Sequence, residues 1–308
     1  MKATQIFYLL LSGIILLSCG QQEKANEIPS ERSVWTTDHA NQWHAQQPWL
    51  RGSDFIPSSA INQLEMWQAE SFDTATLNRE LGWAQNLGLN SMRVYLHHAV
   101  WEADSTGFFQ RMENYLSIAD AHKISTLFVI FDDCWNPTYQ LGKQPEPKTG
   151  IHNSGWVRDP GELIYSDSTL RPRLEQYVKS VLRHFANDRR IVLWDLYNEP
   201  GNSGQLDKSI PLLENAFKWG RQINPTQPLS VGYWNDDLKS INKVILDNSD
   251  VVTYHHYGTP EVHQKLIDTL LSLGRPLICT EYMARTRGSR FENIMPMLKA
   301  QKIGAYNW

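Results

Sequence analysis

The run Ile191-Val192-Leu193-Trp194-Asp195-Leu196-Tyr197-Asn198-Glu199-Pro200 decides how the rest of the 308-residue chain is read. Its first part is apolar enough for a strand buried on both faces, and it stops abruptly at an amide, a carboxylate and a proline. Glu199 therefore stands where a buried strand opens into a loop. The stretch Pro276-Leu277-Ile278-Cys279-Thr280-Glu281-Tyr282 repeats the design. Two glutamates at the carboxyl ends of buried strands are the minimum equipment for cleaving a glycosidic bond.

Working outward, runs suited to strands recur at about 50–56, 91–97, 125–132, 191–197, 229–233, 251–256, 276–280 and 303–307. Amphipathic stretches lie between them at 76–87, 108–122, 170–186, 207–223, 238–247, 260–273 and 291–301. In the first of these Leu77, Leu81, Ala84 and Leu87 recur at helical spacing. Strands alternate with helices and no hairpin signal intervenes, so the α/β pattern predicts a (β/α)8 TIM barrel. An open doubly wound sheet alternates in the same way. Polar and aromatic residues, however, gather at the predicted strand ends: Arg93, Asp132, Asp133, Asn198, Glu199, Trp234, Tyr257, Glu281 and Trp308. A barrel brings those ends onto one ring, whereas an open sheet spreads them along a line. The separation of Glu199 from Glu281 fits three βα steps of about 30 residues each, which puts them on the fourth and seventh strands. The chain stops at Trp308, directly after the eighth strand, so the last helix is expected to be missing and the domain incomplete at its carboxyl end.

The division expected is a signal over 1–19, a polar tether over 20–34 and a catalytic domain over 35–308. Met1 to Cys19 carries Lys2, an apolar run from Ile6 to Leu17 and the ending Leu16-Leu17-Ser18-Cys19, which reads as a secretory signal. The ending resembles the lipobox of bacterial lipoproteins. That implies lipidation at Cys19 and a lipid anchor in the membrane. Gly20 stands where an aspartate would retain such a protein at the inner membrane, so the expected location is the outer membrane, facing the periplasm or the cell surface. The tether is polar and contains Pro29. Thr36-Thr37-Asp38 then caps a short helix to Gln46, expected to cover the amino-terminal mouth of the barrel.

A net charge of −4 offers no basic field for a polyphosphate and argues against nucleic acid. Three cysteines are too few for a disulfide framework, and Cys134 and Cys279 read as small buried residues. Twelve Trp and twelve Tyr exceed what a core needs and point to a cleft that holds sugar faces. A metal-dependent barrel hydrolase could draw on His97, His98, Asp132, Asp133, His255 and His256. It would also need a His-x-His pair on the first strand and ligands on the fifth and eighth, which are absent from the sequence. Neither a metal nor a cofactor is implied.

Asn198-Glu199-Pro200 on the fourth strand, Glu281 on the seventh, Arg93 on the second, His255-His256-Tyr257 on the sixth and Trp308 on the eighth together resemble clan A of the glycoside hydrolases. Within it the chain is most similar to family 5, and to bacterial lipoproteins that are cellulase-like or 1,4-β-xylanase-like. The resemblance runs from about Trp35 to Trp308. It implies a monomeric retaining hydrolase of a β-linked polysaccharide or oligosaccharide. In it Glu199 would be the acid/base and Glu281 the nucleophile, with carboxyl groups about 5–5.5 Å apart. Arg93 and Tyr257 would donate to the nucleophile, Asn198 would bind the sugar 2-hydroxyl, and Trp308 would lie under the reacting sugar, with His255 beside them. Asp132 and Trp135 after the third strand, and Trp67 with Gln63 and Glu65 after the first, are further substrate-binding candidates. Gly52-Ser53-Asp54-Phe55 departs from the family's Gly-x-Asn-Phe/Tyr, so no role carries over to Asp54.

The segment from Asn136 to Ser168 is too long for a plain connection and is expected to shape one end of the cleft, with Trp156 or Tyr139 touching substrate. A long first or third loop that closes the cleft would favour exo action. The alternative is a surface lipoprotein that binds glycans without cleaving them, a role with no use for both glutamates.

Overall fold

The computed structural model describes residues 32–308. The expected signal, the lipidation site Cys19 and the tether up to residue 31 lie outside the described residues. Residues 32–34 are docked rather than loose, because Arg32 is ion-paired to Asp250 at 2.7 Å.

The elements alternate as the sequence predicts. They are α1 (Thr37–Gln46), β1 (Arg51–Asp54), α2 (Gln63–Trp67), α3 (Thr74–Asn86), β2 (Ser91–Tyr95), α4 (His98–Ala103), α5 (Ser105–Ala121), β3 (Ser125–Asp132), α6 (Leu170–His184) and β4 (Ile191–Asn198). There follow α7 (Ile210–Ile223), β5 (Leu229–Ser230), α8 (Lys239–Asn248), β6 (Val252–His255), α9 (Pro260–Leu271), β7 (Leu277–Tyr282), α10 (Phe291–Ala300) and β8 (Gly304–Asn307). The strands are parallel and lie in the order β5-β4-β3-β2-β1-β8-β7-β6, a nearly closed (β/α)8 barrel.

Strand alternation divides the apolar residues between two layers. Leu127, Val129, Leu193, Ile278 and Tyr306 form one buried cluster inside the barrel. Phe128, Ile130, Trp194 and Leu196 face outward and pack with Leu116, Tyr177, Leu213 and other residues of the surrounding helices. Gly52 is fixed by this interior, since a Cβ there would lie 2.6 Å from the Tyr306 ring. Trp35 and Ala40 join Leu50, Val192 and Val251, which stand at the beginnings of strands, so α1 covers the amino-terminal mouth as expected.

The seam lies between β5 and β6. Here the expected strand 229–233 shrinks to two residues, with a single bridge from Tyr233 to Tyr254 beyond them. Side chains take over from the ladder. Ser230 Oγ donates to the Val251 carbonyl at 2.8 Å, and Asp250 accepts from the Leu229 amide at 2.8 Å and from Arg221 at 2.8 Å.

Candidate active site

The carboxyl ends of the strands converge on Arg93, which is fully buried inside the barrel. Its guanidinium donates to Asp54 Oδ1 at 2.7 Å, Asp195 Oδ2 at 2.7 Å, Asn198 Oδ1 at 2.7 Å and Glu281 Oε1 at 2.7 Å, and also contacts the Tyr95 hydroxyl. One cation thus aligns three carboxylates and the amide beside Glu199. Charge-assisted bonds of this kind are the strong ones, and a planar guanidinium makes several without changing its shape.

Glu281 is buried and accepts three hydroxyl or guanidinium donors. Tyr95 and Arg93 reach Oε1, and the Tyr257 hydroxyl reaches Oε2. A register shift between Cys279 and Tyr282 precedes the strand end, the kind of bulge that re-aims a side chain. Glu199 has different company. Its Oε1 faces His255 Nδ1 at 2.8 Å, while Oε2 accepts from Asn202 and, at 3.4 Å, from the Cys134 thiol. His255 Nδ1 also lies 3.5 Å from Glu281 Oε2. One oxygen of each glutamate and the imidazole nitrogen all lie within 4.8 Å of one another.

Burial pushes the Glu199 carboxyl up, but the His255 hydrogen bond and charge, with Asn202 and Cys134, outweigh it and hold the group below its ordinary value. Burial likewise disfavours the His255 imidazolium, yet the charges of Glu281 and Glu199 outweigh that and raise it. Both shifts favour the charged pair, with the proton on His255. Burial raises Asp54 well above the usual range despite Arg93, and it lifts Asp132 to about 7 against the hydrogen bonds from Asn198 and Trp156.

A pocket of about 580 Å³ opens above these groups, within the range of small-ligand sites. It is lined by Asn198, Glu199, Glu281, Tyr257, Trp308, Trp135 and Cys134 among others, so most of the expected site residues meet there, with His255 just beneath. Five residues expected at the substrate lie elsewhere. Trp67 is fully buried in the outer layer, and its indole donates to the Tyr95 carbonyl at 2.7 Å; α2 turns it inward, away from the cleft. Gln63 is buried with it and donates to the Val157 carbonyl. Asp132 does not line the pocket but holds Asn198 Nδ2 at 2.9 Å and the Trp156 indole from below, so it positions groups beneath the cleft. Trp156 is buried beneath Trp308, and Tyr139 is turned to His98, so neither lines the pocket.

Sequence reasoning missed Asp195, Tyr95 and Asn202, placed His152 only within the loop expected to shape the cleft, and gave Asp54 and Cys134 no part in the site. A charged residue within an otherwise apolar buried strand, as Asp195 is, must be paired, and that signal was available. A second group with ligand atoms close enough for a metal is His97, His98 and Asp159. Its nitrogens are already engaged by the Arg158 carbonyl, the Ala99 amide, Asp159 and Tyr139, so it reads as a hydrogen-bonded brace between β2 and the following loops.

Residues 83–308 match the family model for cellulase, glycosyl hydrolase family 5. The chain belongs to that family. No curated protein matches it. This family 5 chain is similar in fold to the β-mannanase of the blue mussel Mytilus edulis, with 16% identity, 84% of this chain and 86% of that one covered, and a TM-score of 0.54. It is similar also to GH5_18 of Streptomyces cattleya, with 12% identity over 84% and 70% of the two chains and a TM-score of 0.57. The exo-β-1,4-mannosidase Op5Man5 of an Opitutaceae bacterium shares 16% identity over 84% and 51%, with a TM-score of 0.58. Membership makes the chain a glycosidase that hydrolyses O-glycosyl compounds with retention.

Proposed function

We propose that the enzyme cleaves a β-linked glycan by double displacement, with Glu281 as nucleophile and Glu199 as acid/base. The observation that carries this reading is the short separation of two glutamates in unlike surroundings. Their nearest oxygens lie within 4.8 Å. That fits the close spacing of retaining enzymes, about 5–5.5 Å, better than the spacing of about 6.5–9.5 Å in inverting ones. Glu281 is held and aimed by Arg93, Tyr95 and Tyr257. Its attack on the anomeric carbon is matched by proton delivery from Glu199 to the leaving oxygen.

The proton comes from the pair of Glu199 and His255. Once Glu281 has become a glycosyl ester it carries no charge, and the chief attraction that raised His255 is gone. Glu199 then takes a proton from water, the water oxygen bonds to the anomeric carbon, and the ester bond to Glu281 breaks. Asn198, gripped by Arg93 and Asp132, is the amide we assign to the sugar 2-hydroxyl.

β-Mannosides are the substrates we propose to test first. Two of the similar structures are described as β-mannanase or exo-β-1,4-mannosidase, and a Streptomyces cattleya variant is described with Manβ1-4GlcNAc. We infer further that the enzyme is exported as a lipoprotein anchored through Cys19 and works as a monomer, on the support of the amino-terminal sequence and a self-contained cleft. The test is a panel of aryl β-glycosides and β-mannan, β-glucan and xylan polymers. Activity that disappears in Glu281→Ala is expected; a Glu281→Ala enzyme with wild-type turnover would sink the assignment.

A further inference from the structure

The long segment between β3 and α6 does more than connect them. It leaves β3 after Asp132 and ties itself to the segment after β1, where Asn62 Nδ2 donates to Gln144 Oε1 at 2.9 Å and to the Gly155 carbonyl at 2.8 Å. Gln63 Nε2 reaches the Val157 carbonyl at 3.0 Å, and Gln68 Nε2 reaches the Gly142 carbonyl at 3.1 Å. Gly155 lies so close to Ile61 that a Cβ would sit 2.3 Å from its side chain. The loop also reaches β8, where the Trp308 indole donates to His152 Nε2 at 3.2 Å. Since β3, β2, β1 and β8 are consecutive in the sheet, the loop spans the rim above β2 and β1.

The pocket reflects that cover. Trp135, His152 and Asn153 line it together with Trp308, and among the described residues none from the segments after β1 or β2 does so. The wall is backed as well as faced, because Trp156 lies buried behind Trp308 with its indole donating to Asp132.

The two glutamates fix the direction of the substrate. The leaving oxygen must lie against Glu199 and the anomeric carbon against Glu281. The aglycone therefore leaves past Glu199, toward Asn202 and Ser203. The glycone lies on the opposite side, over Trp308, and faces the His152 wall.

We propose that the β3–α6 loop ends the glycone side after one sugar ring, so that the enzyme removes single sugars from non-reducing ends. This rests on the hydrolase reading above. The whole enzyme would be given short β-1,4-linked manno- and gluco-oligosaccharides labelled at the reducing end, with and without a methyl group on O4 of the terminal sugar. The expected first products are free monosaccharide and a labelled chain one sugar shorter. The O4-methyl group should slow hydrolysis by about 10–200-fold, the range that one misplaced carbon imposes on a fitted pocket. In a His152→Ala/Asn153→Ala variant that penalty should shrink to within about threefold, since the wall that rejects the methyl group is gone.

Labelled products of mixed length from the earliest time, with methylated chains cut as fast as free ones, would overturn the inference and leave the hydrolase standing. A double variant as strongly blocked as wild type would overturn the assignment of the wall to this loop. No hydrolysis of any oligosaccharide or aryl glycoside would instead bring down the hydrolase reading and this inference with it.

Discussion

Arg93→Met tests whether one guanidinium holds the site together. The side chain it replaces is fully buried and faces Asp54, Asp195 and Glu281, each 2.7 Å away and each nearly or wholly removed from solvent. Removing one partner of a buried ion pair costs about 3–5 kcal/mol, because the remaining charge has lost both water and its counter-ion. Asp54 softens the loss, since burial already drives it toward the protonated form. At about 2–4 °C per kcal/mol for a domain approaching this size, the melting temperature should fall by roughly 6–20 °C at pH 7.

The deficit should also depend on pH. A buried carboxyl deprived of its cation binds a proton more tightly folded than unfolded, so the stability of the variant rises as pH falls toward 5. Thermal unfolding followed by circular dichroism at both pH values reads this directly. Adding Glu281→Gln to the variant removes one of the stranded charges and should restore part of the loss. A melting temperature within about 2 °C of wild type, less than the shift that 1 kcal/mol produces, would refute the view that Arg93 is the counter-charge of the site. So would a deficit that does not change with pH.

Other perturbations separate the roles of the remaining groups. Glu199→Ala should slow glycosides with poor leaving groups by about 10²–10⁴-fold while sparing aryl glycosides whose leaving group needs no proton; equal losses on both would remove Glu199 as the acid. His255→Gln should move the basic limb of the kcat/KM profile toward acid, because the proton of the pair is held by an imidazole raised above its ordinary value and is lost only as pH climbs through that raised value. An unmoved limb would show that another group sets it. Asp250→Ala strands Arg221 and the Leu229 amide at the β5–β6 seam and should cost about 3–5 kcal/mol. Burial opposes its charge, but Arg32 and Arg221 outweigh burial and depress the carboxyl. Its contribution is therefore present above the unfolded value near 4 and fades as pH falls through the lower folded one, so wild type and variant should converge in acid titrations.

The barrel was legible because its evidence is local and repeated. Each strand announces itself by a short apolar run, and each helix by its spacing. Strand β5 was over-read because Gly232 and Tyr233 look extended in sequence. In the fold Gly232 packs on His255, where a Cβ would lie 3.0 Å from Nε2, and only one bridge forms beyond it.

Within the site the glutamates, Arg93, Asn198, Tyr257 and Trp308 could be found from their strand ends. Trp67 was misread because an indole after a strand can turn either way. The deciding signal was Asn62 followed by Glu65. Asn62 Oδ1 accepts from the Glu65 amide as the cap of α2, and Glu65 accepts from the Ile61 amide just before it; together they start α2 and turn Trp67 into the core. Asn202 and His152 lay beyond reach, because each meets its partner only through loop paths that no spacing encodes.

One feature of the backbone explains why adjacent residues serve this site in pairs. Alternation along a strand sends neighbouring side chains to opposite faces. Beyond the strand ends that rule lapses, and Cys134 and Trp135 after β3, Asn198 and Glu199 at the end of β4, and Met283 and Ala284 after β7 each line the same pocket side by side. In every pair one residue has a positive φ: Trp135 at 72°, Glu199 at 44° and Met283 at 97°. A residue with a Cβ held there costs about 1–3 kcal/mol and persists only where its surroundings over-determine it. The turn at Glu199 lets Asn198 stay on Arg93 while Glu199 swings to His255, so amide and acid address the same sugar from consecutive positions. Relaxing Glu199 into extended backbone would return it to the outer face and separate the proton donor from the nucleophile. The strain belongs to the chemistry, and the buried ladder of β3 and β4 beneath it supplies the rigidity that keeps it in place.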